Sequence, residues 1–299
     1  MNLKALVSFF LLSVAVVLSV QAETSEPPQK NEKPDEITLG IIRGGSPDLV
    51  KEQAVLLAKE LQERLSTPIQ LYFPKNYSGL KEAMKNGKVQ FGFYTALSFV
   101  EAEKDIALKA LLKKTWSGPF YYSAVITNDP KIKKISDLKG KRVAFVDESS
   151  TSGYLYPLVM LRKNGLDITD FSQVLWSGNH ENSIHLLHDK KVSAVAVFAS
   201  DEKAKTGAWT VFSRPGFKPH VLWVSEPIPN DPIVVLNSFY ETYPKFTHDL
   251  MYAMIEIQDE KRSTKALKEV LGEGALMPAT SRHFDPVREM MKSLNIKAK

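Results

Sequence analysis

Residues Arg142 to Gly165 read RVAFVDESSTSGYLYPLVMLRKNG. An apolar run, Val143 to Val146, empties into two acids, Asp147 and Glu148. Four hydroxyl residues and a glycine follow, Ser149, Ser150, Thr151, Ser152 and Gly153, before the chain turns apolar again. The first run reads as a buried strand and the second as a helix, so the hydroxyls fall at a helix start. A helix start carries free backbone N–H groups and partial positive charge. Ser and Thr there can cap the helix or turn O–H groups outward, and glycine permits close backbone approach. Together they make an oxyanion cradle that needs neither Lys nor Arg. Capping alone would need one hydroxyl, so their number favours an anion site. Pro157 supports this, because it cannot donate to the carbonyl of Gly153 and so loosens the first turn. The stretch is not a nucleotide-binding P-loop, since no GxxxxGK occurs.

Other reactive residue types are less organised. His180, His185 and His188 lie close in sequence, and the last two share a helix face. No acidic ligand pattern accompanies them, so solvated or capping histidines are favoured, and no metal or cofactor is expected. Ser152, His180 and Asp231 include the residue types of a hydrolytic triad, but no GxSxG elbow is present. Clustered hydroxyls suit binding better than attack, so no enzyme activity is expected. The Trp and Tyr residues at 116, 121, 122, 176 and 223 fall within strands and read as core. KKTW (113–116) and KIKK (131–134) read as solvated faces.

The elements that must hold the hydroxyl turn alternate from Glu36 onward. Strands are expected at 36–43, 68–74, 89–94, 119–127, 141–147, 173–178, 192–198 and 220–228. Helices are expected between them, at 50–65, 78–87, 95–104, after Gly153 and at 179–189, and the remainder reads as mainly helical. This order implies parallel sheets with helices on their faces. Two α/β units share the chain, joined by two crossover strands, out near Tyr122 and back near Trp223. That gives lobe I as 36–121 with 224–299, lobe II as 122–223, and a cleft between them. Ligands of open α/β sheets sit outside the carboxyl ends of the strands, where the hydroxyl turn lies.

Composition sets outer bounds. A chain of 299 residues, 43% hydrophobic and 24% charged, suffices for one large or two medium domains. It has no cysteine, which excludes disulfides and thiolate chemistry. The net charge is +5, and no Lys/Arg block interleaves with aromatics, so nucleic acid is not an expected partner. Lys4 precedes an uncharged run from Ala5 to Val20, and small residues stand at Val20 and Ala22. This reads as a secretory signal, residues 1–22, cut after Ala22. Residues 23–35 are polar and proline-containing, and read as a disordered leader. With no second membrane segment, the mature protein is expected to be exported and soluble, in a bacterial periplasm.

Three stretches carry a family resemblance: KNYSGLKEAMKNGKVQFGFYTALSFVEA (75–102), DLKGKRVAFVDESSTSGYLYP (137–157) and GNHENSIHLLHDKKVSAVAV (178–197). They resemble the periplasmic phosphate-, phosphite- and phosphonate-binding proteins of ABC importers, and the likeness covers nearly all of the mature chain. It implies the type II periplasmic-binding-protein fold, with two α/β lobes. It also implies a small phosphorus oxyanion as ligand and an inner-membrane permease as partner, with the protein itself a monomer. Ser150, Thr151 and Ser152 match the family's oxyanion-binding hydroxyls. Tyr77 matches a tyrosine that donates its phenol from the first lobe, and Tyr121 a second one near the crossover. His180 matches a histidine at a helix start, and Asp231 a carboxylate beside the pocket; these two could read a ligand proton or an amine. In aminophosphonate binders of the family a second carboxylate follows the VSAVAV strand. Here FASDEK follows, which leaves the orientation of Asp201 and Glu202 open. The first turn, RGGSP, is also unusual, and Arg43 or its glycines could join the site. An exported sensor that binds the same ligand and docks on a membrane signalling protein is the alternative role.

Overall fold

The computed structural model describes residues 33–42, 47–115, 118–257, 270 and 274–294. The expected signal segment, most of the expected leader, Trp116 and the turn bearing Arg43 lie outside the described residues. Two six-stranded sheets organise the chain. In the first, β1 (Ile37–Ile41) lies parallel to β2 (Ile69–Tyr72) and β3 (Phe91–Phe93). Helices α1 (Pro47–Leu65) and α2 (Tyr77–Lys85) link these strands. Val50, Ala54, Leu57, Leu61 and Leu65 bury the expected face of α1.

Three strands of this sheet were not expected. β4 (Leu108–Lys114), β11 (Pro232–Leu236) and β12 (Leu276–Pro278) pair antiparallel, in the order β12-β4-β11-β3-β1-β2. LKALLKK is made of good helix formers, and only its long-range partners make it a strand. β11 begins with Pro232, whose missing N–H is tolerated at a strand's first residue. The carboxyl-terminal third is therefore less helical than its sequence suggests. It does contribute α7 (Asn237–Thr242), α8 (Pro244–Ile257) and α9 (Asp285–Ser293).

The second sheet contains β5 (Phe120–Thr127), β6 (Arg142–Phe145), β7 (Gln173–Trp176) and β8 (Ala194–Ala199). The expected 220–228 strand is two pieces, β9 (His220–Val224) and β10 (Ile228–Pro229), both antiparallel to β5. Tyr122 pairs with Ala199 and Trp223 with Val125, so both lie within this sheet. The chain leaves the first sheet at Lys114 and enters the second at Phe120. It leaves the second at Pro229 and re-enters the first at Pro232. Asn230 Nδ2 donates to the Gly118 carbonyl at 3.0 Å and so ties the two passages together.

A shared apolar cluster joins the two units. Leu97 and Phe99 of α3 (Ala96–Ala102) belong to it with Leu155 and Leu158 of the second unit and Phe284 and Val287 near α9. Phe99 and Phe284 meet edge to face at 5.0 Å.

The hydroxyl turn sits where β6 feeds α4 (Tyr156–Lys163). Residues Thr151–Leu155 form a π turn: Leu155 N–H donates to the Ser150 carbonyl and Tyr156 N–H to that of Thr151. Pro157 has no N–H for the Gly153 carbonyl, which accepts from Val146 N–H at 3.2 Å instead. That stitch draws Gly153 against the strand end. A Cβ on Gly153 would lie 2.5 Å from Val146 Cγ2 and 2.8 Å from Ser150 Oγ. Gly153→Ala is expected to lose about 1–3 kcal/mol of stability through this overpacking, read as a lower denaturant midpoint. An unchanged midpoint would show that the turn relaxes around the methyl group.

Candidate functional site

The turn's hydrogen bonds leave its donors facing outward. Ser150 Oγ accepts from Gly153 N–H at 3.0 Å, so Ser150 is the helix cap. Capping uses an acceptor lone pair and leaves the hydroxyl proton to donate. Thr151 Oγ1 accepts from Leu97 N–H at 2.9 Å and likewise keeps its proton. The Ser152 carbonyl accepts from Ser123 Oγ at 2.6 Å, which holds the turn on β5. The backbone amides of Thr151 and Ser152 have no acceptor among the described residues. All three cradle side chains are buried.

Across the cleft a second helix start meets this one. Thr95 caps α3 by accepting from Ser98 N–H at 3.1 Å, and its own hydroxyl donates to the Ser149 carbonyl at 2.9 Å. Ser149 Oγ donates to Glu101 Oε2 at 2.9 Å. Thr95, Leu97 and Glu101 were not singled out in the sequence. The spacing of Thr95 and Ser98 marks a helix start, but nothing local says that it faces another. Tyr77, Ser98, Glu101, Ser149, Tyr154 and Arg162 line a cleft of about 460 Å³ along this meeting line.

Phenols and one carboxylate complete the cluster. Tyr121 on β5 hydrogen-bonds the hydroxyls of Thr151 and Ser152. Burial, then the charge of Asp231, pushes its phenol well above the ordinary range despite those bonds. Tyr77 opens α2 behind the cap Asn76, whose Oδ1 accepts from Gly79 N–H at 2.9 Å. Burial, then Asp231 and Asp147, also pushes this phenol up. Both phenols therefore stay protonated and can donate. Asp231 lies just before β11 and acts on both. Burial raises its carboxyl, against the pull of Lys114 and the Ala96 amide. Lys114 Nζ stands 3.8 Å from Asp231 Oδ2, and burial lowers its ammonium. The KKTW run is thus no solvated face: Lys113 is buried and Lys114 only 15% exposed.

His180 opens α5 (His180–His188). Its ring meets Phe198 edge on at 5.1 Å, and Nδ1 is buried with no partner among the described residues. Burial lowers its pKa to about 4, so the ring is neutral. Asp201 turns away into its own loop, where it accepts from the amides of Lys203, Lys205 and Thr206, and Glu202 is exposed. His188 pairs with Asp189 at 3.2 Å. No cluster of three potential metal ligands occurs among the described residues.

Two α/β lobes that meet over facing helix starts define a periplasmic solute-binding protein. A family profile described as ABC transporter, phosphonate, periplasmic substrate-binding protein matches residues 39–284, and the chain belongs to that family. It is 27% identical over 273 residues to the phosphonates-binding periplasmic protein of Escherichia coli K12, covering 88% of this chain and 78% of that one. It is 22% identical to a probable ABC transporter phosphite binding protein of Prochlorococcus marinus, over 96% and 97% of the two chains. A Prochlorococcus marinus structure solved in complex with methylphosphonate superposes with a TM-score of 0.76 at 19% identity, over 88% of this chain and 99% of that one. The periplasmic aliphatic sulphonate binding protein of Escherichia coli shares the fold more distantly, with a TM-score of 0.60 at 16% identity, over 89% and 95%.

Thr151→Val keeps the shape of the turn but removes the hydroxyl that meets Leu97 and Tyr121. Ligand affinity is expected to fall about tenfold or more with the fold retained. Calorimetry that found no change would leave Thr151 a packing residue.

The neutral His180 predicts a pH effect on stability. Its pKa is about 4 folded and 6.5 in the reference state. Between those values the unfolded chain binds a proton that the folded chain does not. The stabilisation is present above pH 6.5 and declines as pH falls toward 4, by on the order of 3 kcal/mol in all. Urea unfolding of wild type and His180→Gln across this interval should show a shallower slope for the variant. Parallel slopes would mean that the ring titrates normally.

Proposed function

We propose that this chain captures a small phosphorus oxyanion, a phosphonate, phosphite or phosphate, between its lobes and hands it to an ABC importer permease in the inner membrane. The observation that carries the reading is the first turn of α4. The amides of Thr151 and Ser152 have no acceptor there among the described residues, and the hydroxyls of Ser150, Thr151 and Ser152 stand in the same turn. The phenols of Tyr77 and Tyr121 add further donors beside the turn. A donor-rich pocket suits a tetrahedral anion, because hydroxyls can also turn to accept from a protonated ligand oxygen. The ligands in the names of the relatives are of this class.

The two units, one built on each sheet, would swing about the two tied passages, 115–119 and 230–231, as the ligand bridges them. A signal cleaved after Ala22 would deliver the protein to the periplasm as a monomer, where it acts by binding rather than turnover. Protein lacking residues 1–22 is to be melted with phosphate, phosphite, methylphosphonate and sulfate. A phosphorus oxyanion at a hundred times its Kd is expected to add about 2.7 kcal/mol of stability. If only sulfate shifts the melting temperature, or nothing does, the reading fails.

A further inference from the structure

A carboxylate beside an anion site is a liability, because it repels the ligand. Asp231 is such a carboxylate: it adjoins Pro232, whose carbonyl accepts from Tyr94 N–H at 3.1 Å just ahead of the helix start that meets Thr151, and its charge reaches both phenols. Its Oδ1 has no hydrogen-bond partner among the described residues, while Oδ2 faces Lys114 Nζ at 3.8 Å. The backbone fixes this arrangement. Lys114 pairs with Leu276 of β12, and its N–H donates to the Asp231 carbonyl at 3.1 Å. The two side chains are 15% and 24% exposed, so the charges are poorly screened by water. Other acids near the site already accept hydrogen bonds from the chain. Asp147 is held through Oδ1 by Ser149 N–H at 2.8 Å, Glu101 is bonded to Ser149, and Asp201 is taken up by its own loop.

An ammonium group on a ligand would need a carboxylate of its own, and the ammonium of Lys114 already occupies that role. We propose that Lys114 is a specificity-determining residue: by compensating Asp231, it makes the site one for phosphorus oxyanions without an amine and against aminoalkylphosphonates. Asp231 Oδ1 then accepts from a protonated ligand oxygen, while Lys114 cancels the repulsion. This inference rests on the phosphorus-oxyanion reading above.

Calorimetric titration with methylphosphonate and 2-aminoethylphosphonate tests it. Wild type is expected to favour methylphosphonate by at least about tenfold, and Lys114→Met to reduce that ratio by about tenfold or reverse it. Lys114→Arg, which keeps the charge, should hold the wild-type ranking. If Lys114→Met does not fold, Lys114→Gln, which removes the charge but keeps a hydrogen-bond donor toward Asp231, is read instead. The ratio must fall there too, relative to wild type. A wild-type preference for 2-aminoethylphosphonate, or a ratio unchanged by loss of the Lys114 charge, overturns the inference and leaves the oxyanion reading standing. Wild type that binds neither compound overturns both.

Discussion

Pro157 has no N–H to give, and the rest of the site follows from where that missing bond is replaced. An ordinary helix would bond the N–H at position 157 to the Gly153 carbonyl. Here Val146, the last residue of the apolar run, takes that carbonyl. The helix start is thereby pinned to the strand end, and the turn widens to a π geometry. Only glycine fits at the pinned position, since Val146 and Ser150 already fill the space a side chain would need. With its carbonyls bonded inward, the turn is left with amides and hydroxyl protons to present.

The same turn is also the meeting point of the lobes. Thr151 accepts from the start of α3 while touching Tyr121, and Ser149 is held by Thr95 and Glu101. Two helix starts of like polarity would repel if they simply faced one another. Side-chain oxygens of Thr151 and Thr95 stand between them and accept from the amides that would otherwise clash. The apolar cluster of α3, α4 and α9 backs this arrangement from behind. An oxyanion supplies the same compensation in stronger form, because it carries full negative charge.

Much of this was legible in the sequence because it is local. The hydroxyl run, its glycine and Pro157 lie within nine consecutive residues, and their roles follow from backbone rules. The βα alternation of both units has the same local character, and eight expected strand regions correspond to observed strands, one of them split. The unreadable parts depend on distant partners. LKALLKK is a strand because β11 and β12 pair with it. Lys114 looked like part of a solvated charge run until β4 carried it beside Asp231, more than a hundred residues away. Likewise His180 was legible as a helix start, but its burial against Phe198 on β8 was not. Asp201 could have been read better: a carboxylate followed by amides at the right offsets closes its own loop, and that signal is local.

The bond from Asn230 to Gly118 has a consequence for how the molecule can vary. Two separate tethers would let the halves slide, twist and open in several directions. Tethers fastened to each other behave as a single pin, and one rotation is left as the soft motion. A residue added to either tether would move its end of the fastening by about 3.3 Å, more than a hydrogen bond tolerates. The lengths of the two tethers are therefore coupled, and an insertion in one calls for a matching change in the other.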